Sequence, residues 1–511
     1  MPGYPRPHDV PATRLEELGA LLAVPGEASA QVSVTGITHA SDAVRPGDLY
    51  AALPGARRHG AEFVAAAAAA GAVAVLTDPA GADAARVAGL PALVVDDPRA
   101  VLGVVASRIY GDPSRRLKII GITGTAGKTS TAYLVESGLA AAGLRTGLIG
   151  TVETRLGDLV VDSARTTPEA TDLHAALAVA HQRGVDAVVM EVSSHALALG
   201  RVGGVRFAVG GFTNLGLDHL DFHADVEDYF AAKARLFDGR CAVEIVNADD
   251  AYGQRLIRPG TVTYSLTRGD WYASDLTEED FGQRFVAHGP DGVAVDAGVA
   301  LPGRHNVANA LLAIASLVAV GVDAGLAARG VAACPGVPGR MQRVAAPGPV
   351  LGVVDYAHKP DAVVEVLGAL RQLAAGRGGR VICVIGAGGD RDRAKRPLMG
   401  KGAAADADVV IVTDDNPRTE DPAAIRAELL VAARAEGSAE VIEVAGRRVA
   451  IEEAVRRAAD SDVVALLGKG HERGQEVDGE VYPFDDRDEL AAALTARFGP
   501  PAGGGGPGGD R

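Results

Sequence analysis

Cysteine is nearly missing from this chain. Cys241, Cys334 and Cys383 are odd in number and far apart, which leaves no disulfide framework and no metal-ligating spacing, and fits a reducing compartment. A basic excess is also missing. The formal net charge is −15, so the chain lacks the basic stripe that nucleic-acid binding requires. A local nest of backbone N–H groups can still hold a small anion against that field. No apolar run is long enough to cross a bilayer: VANALLAIASLVAVGV (307–322) contains Asn309 and Ser316 and falls short of the ~20 residues needed. It reads as a buried helix. The N-terminal MPGYPRPHDV has no basic-then-apolar pattern, so no signal peptide is expected and the protein reads as cytoplasmic. Lysine is scarce as well. Seven occur, at 118, 128, 233, 359, 395, 401 and 469, and arginine supplies the remaining positive charge. Each retained lysine is therefore informative, because a primary amine is a compact charge and a nucleophile where arginine is neither.

What is present divides into three parts. Residues 1–112 read as a small α/β domain, with strand-like runs in VSVTGITHASDAVRPGDLYAAL (32–53), a helix and buried strand in AEFVAAAAAAGAVAVLTD (61–78), and a strand in ALVVDDP. Residues 113–338 alternate strand and helix, which predicts a mostly parallel sheet with flanking helices. Residues 339–498 hold three apolar runs that each end in a polar motif: VICVIG before AGGDRDR, VVIVT before DDNPRTED, VVALLG before KGHE. In an open α/β sheet ligands bind beyond the carboxyl ends of strands, so this Rossmann-like third domain offers three site-lining loops. The tail 499–511, GPPAGGGGPGGDR, is too poor in apolar residues to pack and is expected to be disordered.

Four motifs carry chemistry. GITGTAGKTS (121–130) lies between a strand and a helix, the context of a phosphate loop, but its G-x-x-G-K-T core is shorter than the general pattern. Backbone N–H groups from Gly124 through Ser130 would face an anion, Lys128 would reach the phosphates, and Thr129 would meet Mg²⁺. The plainer reading is a tight strand-to-helix turn with an exposed lysine. In EVSSH, Glu191 ends an apolar strand, costly for an acid unless it binds something; an exposed strand-end acid is the alternative. NLGLDHLDFH (214–223) gathers Asp218, His219, Asp221 and His223, which by itself allows zinc, without a supporting cysteine or second motif, or a polar loop ahead of a capped helix. Lys233 in YFAAKARLF sits among small and apolar residues, where a lone lysine would ordinarily snorkel to water.

GTAGKTS, EVSSH, TNLGLDHLDFH, the AAK around Lys233, GRHNVANALLA (303–313), GVPGRMQRV (336–344) and VDYAHKPDA (354–362) follow one another in an order that resembles the Mur ligases. The resemblance covers nearly the whole chain except the tail. It implies ATP-dependent amide formation through an acyl phosphate. It further implies that Lys233 is carbamylated by CO₂ (N6-carboxylysine). With Glu191 and His219 that carbamate would hold one Mg²⁺, and Thr129 with the ATP phosphates a second. By the same resemblance Asn309 meets the adenine, Asp355 the ribose and Arg340 the phosphates, with His358 in support. Lys128, Lys233, Glu191 and His219 would be the catalytic set.

DNPR (415–418) resembles the amino-acid motif of the family branch that adds diaminopimelate to UDP-N-acetylmuramoyl-L-alanyl-D-glutamate. A guanidinium such as Arg418 binds a carboxylate bidentately, and lysine as a substrate lacks that carboxylate. Asp415, Asn416, Pro417, Arg391, Gly468 and Glu472 would complete the pocket, Glu472 suiting a substrate ammonium. An Asn-Pro turn with a surface arginine is the alternative reading of this motif. The UDP-muramoyl dipeptide would meet Ser41, Ala56, Arg57, Arg58, Thr166, Thr167, Ser193 and Arg201. Ala40, Asp42, Arg165 and Leu199 depart from the family pattern around that site. A monomer acting on small molecules in peptidoglycan precursor synthesis is expected. The competing readings are a lysine-adding or folylpolyglutamate-type ligase and, from another class, an ATPase switch that makes no bond.

Overall fold

The computed structural model describes residues 4–24, 31–55 and 57–499. Three large sheets follow one another along the chain. The first joins Gly36–Thr38, Asp48–Ala52, Ala74–Thr77 and Ala92–Val94 in that order, all parallel. Its strands are short, apolar and buried on both faces, as parallel strands under covering helices must be.

The central sheet has eleven strands. Its middle is parallel: Thr146–Ile149, Ala187–Glu191, Lys118–Thr123, Phe207–Phe212, Cys241–Asn247, Val262–Ser265 and Trp271–Glu279 lie side by side. Both ends turn antiparallel. A hairpin, Glu153–Leu156 with Leu159–Asp162, finishes one edge. A meander of Trp271–Glu279, Gly282–His288 and Ala294–Val299 finishes the other. The strand–helix alternation expected over 113–338 therefore lapses from about 262 to 299. The cause is legible in GQRFVAH, where every second residue is buried and those between are partly or fully exposed. Such a strand needs cover on one face only, so no crossover helix separates it from its neighbours. The span 307–322 is confirmed as a buried helix, Arg304–Ala319, with Val307, Ala310, Leu311, Ile314 and Leu317 inaccessible to solvent.

The third sheet runs Gln342–Arg343, Leu351–Asp355, Val463–Leu467, Val381–Ile385, Val409–Val412, Glu440–Glu443. Only the first pair is antiparallel. Because its main strands are parallel, their carboxyl ends share one edge, and Asp355, the 386–394 loop, Asp414–Arg418 and Gly468–Glu472 all emerge there. That edge faces the carboxyl ends of Lys118–Thr123 and Ala187–Glu191 in the central sheet, and the site is built between the two.

Candidate active site

The Lys118–Thr123 strand is buried from its second residue, and its end delivers the Gly-rich loop. Two glycines are required by space as well as conformation. Gly124 has φ +145°, and a Cβ there would sit 1.8 Å from Thr213 Oγ1. Gly127 has φ +84°, and a Cβ would sit 2.5 Å from Asn309 Oδ1. Asn214 braces the loop by accepting from Ala126 N at 2.9 Å. The helix Lys128–Ala141 then begins with no side-chain cap. Its first N–H groups are left for a ligand, with the positive end of the helix dipole behind them. Lys128 Nζ donates to the carbonyls of Gly124 and Thr125 at 2.8 and 2.9 Å. Burial, and then the charge of Lys359, push its pKa down to about 8. Lys128 is half-buried and folded back onto the loop, not an exposed lysine on a plain turn.

Glu191 is 1% exposed. Its carboxylate accepts from Thr129 Oγ1 at 3.0 Å, Thr151 N at 2.8 Å and Thr151 Oγ1 at 3.0 Å. Lys233 does not snorkel. It lies on the helix Val226–Ala234, is 1% exposed, donates to Gly124 O at 2.7 Å and stands 4.5 Å from the centre of the Tyr229 ring. Burial, then the nearby cations Lys128 and Lys359, hold its amine well below the usual lysine range.

His219 takes a left-handed backbone, φ +54°, and shares Asp218 Oδ2 at 3.0 Å. Of the rest of its motif, Asp221 lines a cavity with His219 and Asp218, whereas His223 is buried against Asp228 at 3.1 Å, just beyond the motif. Among the described residues, 214–223 included, no group of three or more His, Cys, Asp or Glu side chains is placed to hold a metal ion.

The third sheet closes this cavity. Arg340 Nη2 donates to Thr129 Oγ1 at 3.2 Å, and its guanidinium lies 4.5 Å from the Tyr356 ring centre. Arg340 Nε is buried with no protein partner among the described residues. Asp355 is buried and accepts from Met341 N at 2.6 Å and Ala357 N at 2.7 Å. Burial raises its pKa despite those contacts and Arg340. Asn309 is packed behind Gly127, and its amide donates to Asn306 Oδ1 at 3.1 Å. The result is a cavity of about 250 Å³ lined by Thr125 through Ser130, Glu191, His219, Lys233, Asn309, Arg340, Asp355 and His358, with Thr166 and Ser193 at its margin. Gly124 lies behind that lining.

A second cavity of about 640 Å³ adjoins it. Arg391, Asp415, Asn416, Arg418, Gly468 and Glu472 line it together with His195, Asp218 and His219. Pro417 stays in the wall, its carbonyl against Gly389. Arg418 has φ +53°. Its Nε donates to Glu476 Oε2 at 2.9 Å and its Nη1 to Gly389 O at 2.7 Å. Asn416 Nδ2 donates to Glu472 Oε2 at 2.9 Å. Burial, then Asp415, raise the Glu472 carboxyl. His219, Tyr356, His358 and Lys359 line both cavities. Lys359 forms an ion pair with Asp218 across the junction. Burial opposes ionisation of Asp218, but the His219 hydrogen bond and the Lys359 charge outweigh it and hold the acid well below the carboxylate range.

The remaining candidates are dispersed. Ser41 begins the short Ser41–Ala43 turn, Arg58 pairs with Glu62 at 2.7 Å, and Arg201 pairs with Glu169 at 2.7 Å. Thr167 Oγ1 donates to Glu191 O at 2.9 Å, and Thr166 shares a hydrogen bond with Thr151. Ser41, Arg57, Arg58, Thr167 and Arg201 line neither cavity, while Ala56 and the tail from 500 onward lie outside the described residues. Thr151, Asn214, Lys359, Lys469 and Glu476 were missed by sequence reasoning. Lysine scarcity marked Lys359 and Lys469 but gave them no role; Thr151 and Glu476 carry no comparable signal.

Family models match three consecutive stretches. These are the "Mur ligase family, catalytic domain" over 33–110, the "Mur ligase middle domain" over 122–317, and the "Mur ligase, glutamate ligase domain" over 339–470. A Streptomyces coelicolor protein named UDP-N-acetylmuramoyl-L-alanyl-D-glutamate–2,6-diaminopimelate ligase is 54% identical over 510 residues, covering 98% of this chain and 99% of its own length. A Corynebacterium glutamicum protein of the same name is 47% identical, covering 94% and 95%. A solved structure bearing that name matches with a TM-score of 0.68 at 33% identity, covering 94% of this chain and 98% of its own.

Proposed function

The chain belongs to the Mur ligase family, and from that premise we propose that it joins 2,6-diaminopimelate to UDP-N-acetylmuramoyl-L-alanyl-D-glutamate at the expense of ATP. The observation that carries this reading is the meeting of two cavities at His219 and Lys359. One is built for phosphate, the other presents Arg418 and Glu472 to a substrate with both a carboxylate and an ammonium. ATP occupies the Gly-rich loop, with Lys128 and Arg340 on its phosphates, Asn309 toward the base and Asp355 toward the ribose. The dipeptide carboxylate attacks the γ-phosphorus and ADP leaves, forming an acyl phosphate. The amine of diaminopimelate attacks the acyl carbon, loses a proton, and inorganic phosphate departs.

The donor chemistry of Thr129, Glu191, His219 and a carbamylated Lys233 suits two Mg²⁺ ions, the carbamate supplying an anionic oxygen that the unmodified side chains lack. Thr129 would hold one beside the phosphates. Glu191, His219 and Lys233 as its carbamate would hold the other, and all four line one cavity. The ions would supply charge neutralisation as two anions approach. Carbamylation needs a neutral amine, and the desolvated Lys233 is suited to provide one. The orphaned Arg340 Nε and the uncapped helix start are free to meet phosphate oxygens. Thr166, Thr167, Ser193 and Arg201, with Ser41, Ala56, Arg57 and Arg58, belong in this reading to the UDP-muramoyl end. Three domains, 1–112, 113–338 and 339–498, would bring the substrates together, closing on one another during turnover. We place the protein in the cytoplasm as a monomer. No described helix is long and apolar enough to cross a membrane.

The test is phosphate release. It should require the UDP-dipeptide and diaminopimelate together. Release that is indifferent to the amino acid would instead support an ATPase switch.

A further inference from the structure

Lys469 has no part in the roles above, yet the amino-acid cavity converges on it from behind. It follows Gly468, where φ is +113° and a Cβ would come within 2.6 Å of Asp415 Oδ2. Its side chain is wholly buried. Nζ donates to Gly474 O at 2.6 Å, Asn416 Oδ1 at 3.1 Å and Glu472 Oε2 at 3.3 Å, with Asp415 Oδ1 at 3.7 Å. An ammonium has three donors, and all three are used. Asn416 completes the ring: it donates to Glu472 Oε2 and accepts from Glu476 N at 3.0 Å. Glu476 is the residue that holds Arg418. One buried cation thus ties the acid at one end of the cavity to the loop that bears the guanidinium at the other.

The arrangement is costly unless it serves geometry. Burying an ammonium is offset only by excellent pairing, and a flat guanidinium could not donate in three directions from one point. Two carboxylates, Asp415 and Glu472, would otherwise face each other here. Arg447 is near enough to feel the charges of Asp415 and Glu472 but is committed to Asp486 at 2.6 Å.

We propose that Lys469 is a positioning residue that sets amino-acid specificity, fixing Glu472 and the Asn416–Arg418 loop in one register so that the ammonium and carboxylate of the substrate are read at a set separation. This rests on the assignment of the cavity to diaminopimelate.

The test is a double-mutant cycle on the full-length protein. Lys469→Met should raise the KM for diaminopimelate by roughly 10- to 100-fold, the worth of a hydrogen bond to a charged group. The KM values for ATP and the UDP-dipeptide should hold. Glu472→Gln combined with Lys469→Met should cost less than the two effects added, because both act through one carboxylate. An unchanged KM for diaminopimelate, strict additivity, or a parallel rise in all three KM values with a lowered melting temperature would each overturn the proposal. Should Lys469→Met fail to fold, Lys469→Arg carries the test. It keeps the charge and loses the three-way reach, so a selective rise in the diaminopimelate KM supports the proposal and no rise overturns it. Failure of the cavity assignment would look different: the unmodified protein would release no phosphate with diaminopimelate.

Discussion

Arg418→Ala separates substrate recognition from everything else the site does. The guanidinium already spends Nε on Glu476 and Nη1 on Gly389 O, and its side chain is 20% exposed toward the cavity. A substrate carboxylate would meet the remaining N–H groups in a largely desolvated setting. Removing one partner of such a pair costs about 2–4 kcal/mol after discounting for the exposed fraction. That is a rise of roughly 30- to 700-fold in the KM for diaminopimelate. The fold should tolerate the change. Glu476 is 39% exposed, so water can take over its contact, and alanine inherits the left-handed backbone of position 418 at no greater strain than arginine. Steady-state phosphate release, with diaminopimelate and ATP varied in turn, reads both constants. The KM for ATP should stay within about 2-fold, since Arg418 lines only the second cavity. An unaltered KM for diaminopimelate would refute the reasoning, and so would equal losses for both substrates.

Lys233→Ala should abolish ligation, and added short carboxylates should restore part of it by standing in for the carbamate; full activity in the variant would remove Lys233 from the chemistry. Stability hangs on a different pair. Arg447 and Asp486 are both inaccessible to solvent and joined by two hydrogen bonds of 2.7 and 2.6 Å. Asp486→Ala strands the arginine and should cost about 3–5 kcal/mol in denaturant titration, whereas a loss below about 1 kcal/mol would mean that water reaches Arg447.

Much of this site was readable from residues because its parts are local. The Gly-rich loop needs positive φ at Gly124 and Gly127, and no other residue type fits beside Thr213 and Asn309. The strand-end motifs of the third domain emerge at one edge because parallel strands must align their carboxyl ends. Lysine scarcity was informative: Lys128, Lys233 and Lys359 line the first cavity, Lys359 and Lys395 the second, and Lys469 stands behind it. Other features depend on contacts distant in sequence. Thr151 caps Glu191 from 40 residues away, and Glu476 meets Arg418 from 58. No local pattern announces either. The antiparallel meander was missed because short alternating strands lack the crossover helix on which the parallel reading relied. Residues assigned to the UDP-muramoyl end remain dispersed for a related reason: Arg58 and Arg201 find protein carboxylates of their own, which a motif cannot foretell.

The central claim is that this chain forms an amide bond to diaminopimelate selected by its second head group. The direct measurement is mass analysis of the product when ATP, Mg²⁺ and the UDP-dipeptide are supplied with diaminopimelate and lysine in equal amounts. The UDP-tripeptide carrying diaminopimelate should dominate. A product carrying lysine alone, or ADP accumulating with no tripeptide, would contradict the claim.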